Sequence, residues 1–241
     1  MRRHPGYEHI HKILDFNDQI PCIVSNPHQQ SLAGISFPVV AKAEMWVPHR
    51  SDQFAWCNAA QQICQAVDYM HYMGFAHMDI KPGNFLCDMD EFNHLKIYLT
   101  DFGGVQPLNS PPKFLTGTPG FAAPELYTTD PNTLDMETLD KYSVAVTLLV
   151  LLGTLPNGQN PYSPDTNTMR SIAAGIFERT PNYHLRTVCT VIMAPSLETR
   201  KVQYDQLLKE VGAQRDGSIQ SFRQVMPPPP AQQPTLHDAY F

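Results

Sequence analysis

Two polar clusters separated by strand-forming residues constrain this chain more than any other feature. Residues 74–103 read GFAHMDIKPGNFLCDMDEFNHLKIYLTDFG. The run LKIYLT at 95–100 alternates and is rich in strand formers, which predicts a β-strand ending at Asp101. A preceding strand at 85–87 pairs with it, so the loop at 79–84 and the start of Asp101-Phe102-Gly103 meet at one edge of a hairpin. Asp79 is a carboxylate placed to orient a hydroxyl and take its proton, and Lys81, two positions on, can neutralise a phosphate. Asn84 and Asp101 offer oxygen ligands to a hard cation such as Mg²⁺.

Taken singly these pieces are ordinary turns, but their order and separation are not. His77-Met78-Asp79-Ile80-Lys81-Pro82-Gly83-Asn84 followed by Asp101-Phe102-Gly103 resembles the catalytic and metal-binding loops of eukaryotic-type protein kinases. The resemblance implies that Asp79 and Lys81 are catalytic. It implies that Lys81, Asn84, Leu86 and Asp101 bind ATP, with Asn84 and Asp101 holding Mg²⁺. His77, Phe102 and Gly103 would be structural.

Further matches follow along the chain. Gly117-Thr118-Pro119-Gly120-Phe121-Ala122-Ala123-Pro124-Glu125 resembles the end of the family's activation segment. There Thr118 would face Asp79 and Lys81, and Glu125 would be buried against an arginine. Met193-Ala194-Pro195-Ser196-Leu197-Glu198-Thr199-Arg200 resembles the late loop that supplies that arginine, which makes Arg200 the partner. A buried carboxylate must be paired, so the two belong together. Residues 140–152 (DKYSVAVTLLVLL) are apolar nearly all round, as in a helix buried on every side. The resemblance makes this the central helix of the larger lobe, with Asp140 accepting backbone N–H groups of the catalytic loop. A usual Trp is here Tyr142 and a usual Gly is Ala145. Met78 replaces the arginine expected before Asp79, which removes a charge that would hold a phosphate on the activation segment.

The remaining elements are read from periodicity. A helix capped by Ser51 or Asp52 should present Trp56, Cys57, Ala60, Ile63, Cys64, Val67 and Met70 on one face and end at Gly74. Three further helices are expected over 169–178, 183–193 and 201–211. Upstream, apolar runs at 9–16 and 20–24 flank the turn-like Asn17-Asp18-Gln19 and predict a hairpin, with His4-Pro5 before it and a hinge near Ser25-Asn26-Pro27. Residues 29–50 read as the short helix after the hinge with an insertion. Val40-Ala41-Lys42 looks like the family's strand lysine but lies too close to His77, so Lys42 reads as a surface lysine.

The expected fold is therefore α+β: a protein-kinase-like C-terminal lobe, mainly α-helical, with a remnant of the N-terminal β lobe. Its parts are 1–28 (lobe remnant and hinge), 29–211 (C-terminal lobe) and 212–241, a disordered Pro/Gln-rich tail containing four consecutive prolines, Pro227 to Pro230. No Gly-rich phosphate loop, strand lysine or helix glutamate is readable upstream, so an N-terminally truncated kinase is expected, with slow transfer and an incomplete lobe that a partner could cover.

Composition bounds the rest. Lys and Arg total 17 against 23 Asp and Glu, a net charge of −6, so no basic field invites nucleic acid. The five cysteines, Cys22, Cys57, Cys64, Cys87 and Cys189, lack paired metal spacing and read as reduced, buried residues. Neither a signal peptide nor a membrane span is readable, and the expected location is cytoplasmic or nuclear. Two rival readings stand beside a Ser/Thr kinase acting on a protein substrate with ATP and Mg²⁺. A pseudokinase serving as a binding or scaffold module fits the missing upstream lysine. A small-molecule phosphotransferase shares the Asp and Asn spacing, but Lys81, Ala123-Pro124-Glu125 and the Asp140 helix oppose it.

Overall fold

A computed structural model describes residues 4–17, 22–25, 28, 30–34, 39–42, 45–48, 50–89, 95–151, 165–179 and 183–223. Its strands are β1 (Ile13–Asn17), β2 (Cys22–Ser25), β3 (Gln30–Ser31), β4 (Val39–Lys42), β5 (Met45–Pro48), β6 (Phe75–Ala76), β7 (Phe85–Met89), β8 (Leu95–Leu99) and β9 (Gln106–Pro107). Its helices are α1 (Arg50–Tyr72), α2 (Glu125–Thr128), α3 (Met136–Leu151), α4 (Thr166–Arg179), α5 (Tyr183–Met193) and α6 (Leu197–Arg223). The result is a mainly helical body carrying short strands, the α+β lobe that the sequence led us to expect.

α1 and α3 form the centre. The apolar face of α1 repeats at three and four, and Trp56, Cys57, Ala60, Ile63, Cys64, Val67 and Met70 are all buried on it. This face packs on α3, α6 and β8, and the Trp56 indole also donates a hydrogen bond to the Leu148 carbonyl at 3.3 Å. Burying side chains such as Ile63, Val67 and Met70 stabilises by about 1.5–3 kcal/mol each. Gly74 closes the helix at φ +84, in the left-handed region that glycine enters without strain. Every residue of α3 except Glu137 is buried. It starts at Met136, upstream of the expected Asp140, because Asp135 caps it: Thr138 donates from its backbone N (3.3 Å) and its hydroxyl (2.8 Å) to the Asp135 carboxylate.

The expected hairpin is present as β7–β8, with Phe85 opposite Leu99 and Leu86 opposite Tyr98, and β3 adds a short third strand along β7. α1 supports this sheet through Gln62, which donates to the Leu95 carbonyl at 2.8 Å and accepts the Ile97 N–H at 2.9 Å. β6 pairs antiparallel with β9, tying the end of α1 to the segment after Gly103.

Four expectations need correction. The described part of 29–50 holds no α-helix before Arg50 but a 3₁₀ turn, Leu32–Gly34, and a β4–β5 hairpin, as the strand formers Val39, Val40, Trp46 and Val47 favour. The hairpin of β1 and β2 begins only at Ile13. Residues Pro5–His9 form a 3₁₀ turn instead, set by the fixed φ of Pro5 and by His4 Nδ1 accepting the Gly6 N–H at 3.2 Å. α4 starts at Thr166, not 169, because Asp165 accepts the Thr168 N–H at 2.7 Å. α6 starts earlier too, where Ser196 accepts the Thr199 N–H at 3.2 Å, and it runs past Val211 to Arg223. The expected hinge residues Asn26 and Pro27 and the proline run lie outside the described residues. Cys57, Cys64, Cys87 and Cys189 are buried and form no disulfide, and burial pushes the thiols of Cys57, Cys64 and Cys189 up to about 12. Among the described residues no helix is long and apolar enough to cross a membrane.

Candidate active site

The loop between β6 and β7 is held from behind by α3. Asp140, 1 % exposed, accepts the backbone N–H of His77 at 2.7 Å on Oδ2 and that of Met78 at 2.8 Å on Oδ1. His71, at the end of α1, adds its Nε2 to Oδ2 at 3.0 Å. Two N–H groups aimed at one carboxylate fix the loop's direction as it leaves α1. Met78 then takes φ +68, a conformation that a bulky side chain adopts only when its surroundings hold it there. The His77 ring, fully buried, spans the gap to the next strand: Nε2 donates to the Thr100 carbonyl at 2.9 Å and Nδ1 accepts the Asp79 N–H at 3.3 Å. Its edge meets the Phe102 ring at 5.9 Å.

Asp79 emerges from this scaffold with both carboxylate oxygens engaged. Thr118 Oγ1 donates to Oδ1 at 2.7 Å, while Lys81 Nζ (2.8 Å) and Asn84 Nδ2 (3.1 Å) donate to Oδ2. Lys81 also donates to Thr118 Oγ1 at 2.8 Å, which makes Asp79, Lys81 and Thr118 a closed triangle. Burial pushes the Asp79 carboxyl up. The bonds from Lys81 and Thr118, the Lys81 charge and the Asn84 amide outweigh it and hold the carboxyl below its ordinary value. A carboxylate that stays ionised and already accepts a hydroxyl at 2.7 Å can orient an acceptor hydroxyl and receive its proton.

The sheet register brings the candidate metal ligands to one edge. Phe85 pairs with Leu99, and the Thr100 N–H bonds the Asn84 carbonyl at 2.9 Å, so Asn84 and Asp101 flank the same end of the hairpin. The Asn84 amide nitrogen is spent on Asp79, at 2.8 Å to its carbonyl and 3.1 Å to Oδ2, so Oδ1 is the atom it could offer to a metal. Asp101 is exposed and takes φ +61, a second left-handed residue that is not glycine. One amide oxygen and one carboxylate are the hard, partial set that Mg²⁺ takes from protein when phosphates supply the rest, so these residues fit the ion. Among the described residues no larger cluster of His, Cys, Asp and Glu competes with them. Gly103 follows beside Asp101, and Leu86 sits half-buried on β7 between Ser31 of β3 and Tyr98 of β8.

Behind the site, Glu125 at the start of α2 meets Arg200 of α6 in a forked pair, Nη2 to Oε1 at 2.8 Å and Nη1 to Oε2 at 3.3 Å. One expectation is corrected here: the fully buried partner is Arg200, 0 % exposed, whereas the Glu125 side chain keeps 22 % of its surface. Burial raises the Glu125 carboxyl, but the hydrogen bonds and charge of Arg200 prevail and hold it below its ordinary value. The Arg200 guanidinium also lies 5.0 Å over the Tyr142 ring.

Three contributors have no trace in the sequence reading. His71 reaches Asp140, Arg170 of α4 stands 3.9 Å from Glu125, and Gln106 binds the segment after Gly103. His71 could have been found from the i, i+4 spacing that carries Val67 and His71 down one side of α1 toward the loop. Single residues such as Gln106 and Arg170 leave no periodic signal.

Comparison with known proteins points to one family. Residues 44–216 match the family described as "Protein kinase domain". The chain is 34 % identical over 113 residues to a "probable myosin light chain kinase" of Dictyostelium discoideum, covering 46 % of this chain and 27 % of that protein. It is 32 % identical over 114 residues to a serine/threonine-protein kinase of Drosophila persimilis, covering 47 % and 15 %. A serine/threonine-protein kinase of Homo sapiens is 30 % identical over 121 residues, with 50 % and 18 % covered. In each case the match spans less than a third of the relative's length.

Proposed function

The chain belongs to the protein kinase family, and from that premise we propose that it is, or forms part of, a serine/threonine kinase transferring the γ-phosphate of Mg-ATP to a protein hydroxyl. The observation that carries this reading is the convergence of the Thr118 hydroxyl, the Lys81 ammonium and the Asn84 amide on the carboxylate of Asp79. Asp79 aligns the acceptor hydroxyl and takes its proton as the new O–P bond forms and the bond to the β-phosphate oxygen breaks. Lys81, 28 % exposed and bonded to Asp79, faces the charge that develops on the transferred group. Asn84 and Asp101 are the residues that would hold Mg²⁺, which would supply positive charge against the phosphates, and Leu86 would lie against the nucleotide base. Lys81 and Thr118 together favour the Ser/Thr-directed branch, and the likeness to serine/threonine-protein kinases supports it.

The test uses ATP, Mg²⁺ and dephosphorylated casein, with product sites read by mass spectrometry. The reading expects phosphate on serine or threonine that is lost in Asp79→Ala. Phosphate on tyrosine contradicts the Ser/Thr assignment. Mg-ATP binding without any Asp79-dependent transfer favours the binding-module alternative.

A further inference from the structure

Gln106 lies on β9, 2 % exposed, and its side-chain amide bonds the backbone of the segment that follows in both directions. Nε2 donates to the Phe114 carbonyl at 2.7 Å, and Oε1 accepts the Lys113 N–H at 2.6 Å. A carboxamide carries the donor and acceptor of a peptide group, so Gln106 does here what a neighbouring strand would do. The anchor behind it is firm, since Gln106 pairs with Ala76 and Pro107 with Phe75, immediately after α1. The two limbs of the segment meet over the catalytic loop. A Cβ built on Gly104 would stand 3.1 Å from the His77 carbonyl oxygen and 3.2 Å from Thr116 Cγ2, an approach that leaves little room for a side chain. The second limb continues to Thr118, which is bonded to Asp79 and Lys81.

Every group in this clamp is neutral, and Met78, 6 % exposed, puts an apolar side chain at the start of the loop that the segment covers. A buried carboxamide left unpaired is costly, so the closed arrangement is the favoured one. We propose that Gln106 is a positioning residue that holds residues 104–118 in their substrate-receiving arrangement with no phosphate attached to the segment. This inference rests on the kinase reading above. Gln106 acts through the segment and touches none of the reacting atoms.

The test measures amide hydrogen exchange of Lys113 in the full chain after phosphatase treatment, with the absence of phosphate on Ser110, Thr116 and Thr118 checked by mass spectrometry. The unphosphorylated chain should protect Lys113, and Gln106→Leu, similar in size but without the amide, should speed its exchange by about tenfold or more while amides of α3 are unchanged. Gln106→Glu keeps the acceptor but turns a carboxylate toward the Phe114 carbonyl, so protection should return only as the pH falls and the carboxyl gains its proton. That pH profile also carries the test if Gln106→Leu does not fold. Equal Lys113 exchange in the two proteins overturns the proposal, as does protection that appears only once the segment is phosphorylated. Mg-ATP binding on the same samples separates the failures: absent binding with Lys113 protected removes the kinase reading, and retained binding with Lys113 unprotected removes the clamp alone.

Discussion

The Thr118 hydroxyl donates to Asp79 Oδ1 at 2.7 Å, across a sequence separation of 39, so the segment that ends at Ala123-Pro124-Glu125 is bonded directly to the candidate base. This places a hydroxyl where an acceptor's hydroxyl has to come, with Lys81 at 2.8 Å from both partners. Position, more than bond-making by the protein, governs phosphoryl transfer, and the consequences can be measured one group at a time.

Glu125 and Arg200 should be a stability pair. Glu125→Ala leaves the fully buried Arg200 guanidinium without its carboxylate, at a cost of about 3–5 kcal/mol. Arg200→Ala should be the milder change on electrostatic grounds, because Glu125 keeps access to water and has Arg170 at 3.9 Å. Urea denaturation of both variants checks this. Losses below about 1 kcal/mol in both would mean that the pair behaves as an exposed one.

Asp140→Asn should weaken the site from behind. The amide replaces one acceptor oxygen with a donor, which then faces the N–H of His77 or of Met78. Losing a hydrogen bond to a charged group costs about 1.5–3 kcal/mol. Denaturation should register that loss, and backbone exchange at His77 and Met78 should rise. Unchanged exchange at both would contradict the role given to Asp140.

Acid should destabilise the fold in a window set by His11. Its ring shares one hydrogen bond with His28, Nδ1 to Nε2 at 2.9 Å, and His28 in turn reaches Asp88 at 2.7 Å. Burial, then the charge of His28, hold His11 below its ordinary value of 6.5. A base whose folded pKa is depressed binds fewer protons native than unfolded, so stability falls as the pH drops below 6.5 and levels off below the folded value. His11→Gln should flatten that decline in urea denaturation between pH 5 and pH 8. An identical decline in the variant would assign it to other groups.

Much of this was legible in the sequence because it rests on repetition. The face of α1 running from Trp56 to Met70, the all-round apolar α3 and the alternation of β8 are each signalled many times over, and their partners follow. The Asp79 triangle and the fork of Glu125 and Arg200 join residues far apart in the chain, and only the resemblance connected them. What stayed hidden depends on single side chains or on backbone angles. Gln106 and Gln62 are polar residues that act as surrogate strand edges, and no pattern marks them. The left-handed backbone of Met78, whose N–H is held by Asp140, runs against that residue's preference, and that of Asp101 is one an aspartate tolerates but no pattern marks. The helical reading of 29–50 failed for a related reason: a short stretch with Pro38 and Gly34 carries too few periods to separate a turn and a hairpin from a helix.

Transfer by residues 1–241 should be slow and should depend on Asp79. The sequence offers no readable Gly-rich loop to hold the phosphates, and typical kinases turn over at about 1–100 s⁻¹ with that apparatus in place. Asp79→Asn should keep Mg-ATP binding and lower the rate by about 10²–10⁴. A rate within the typical range from this chain, still lost in Asp79→Asn, would mean that it holds ATP by other means.

Calorimetric titration of Mg-ATP into the chain and its Asp101→Ala variant tests the central claim most directly, with thermal unfolding run alongside to confirm that both are folded. Asp101 is exposed at the hairpin edge and its removal leaves the Asp79 triangle in place, so any change reports on the metal and the phosphates. The account predicts Mg²⁺-dependent binding that weakens by about tenfold or more in Asp101→Ala, roughly 1.4 kcal/mol. Equal affinity in the two proteins, or binding indifferent to Mg²⁺, would contradict it.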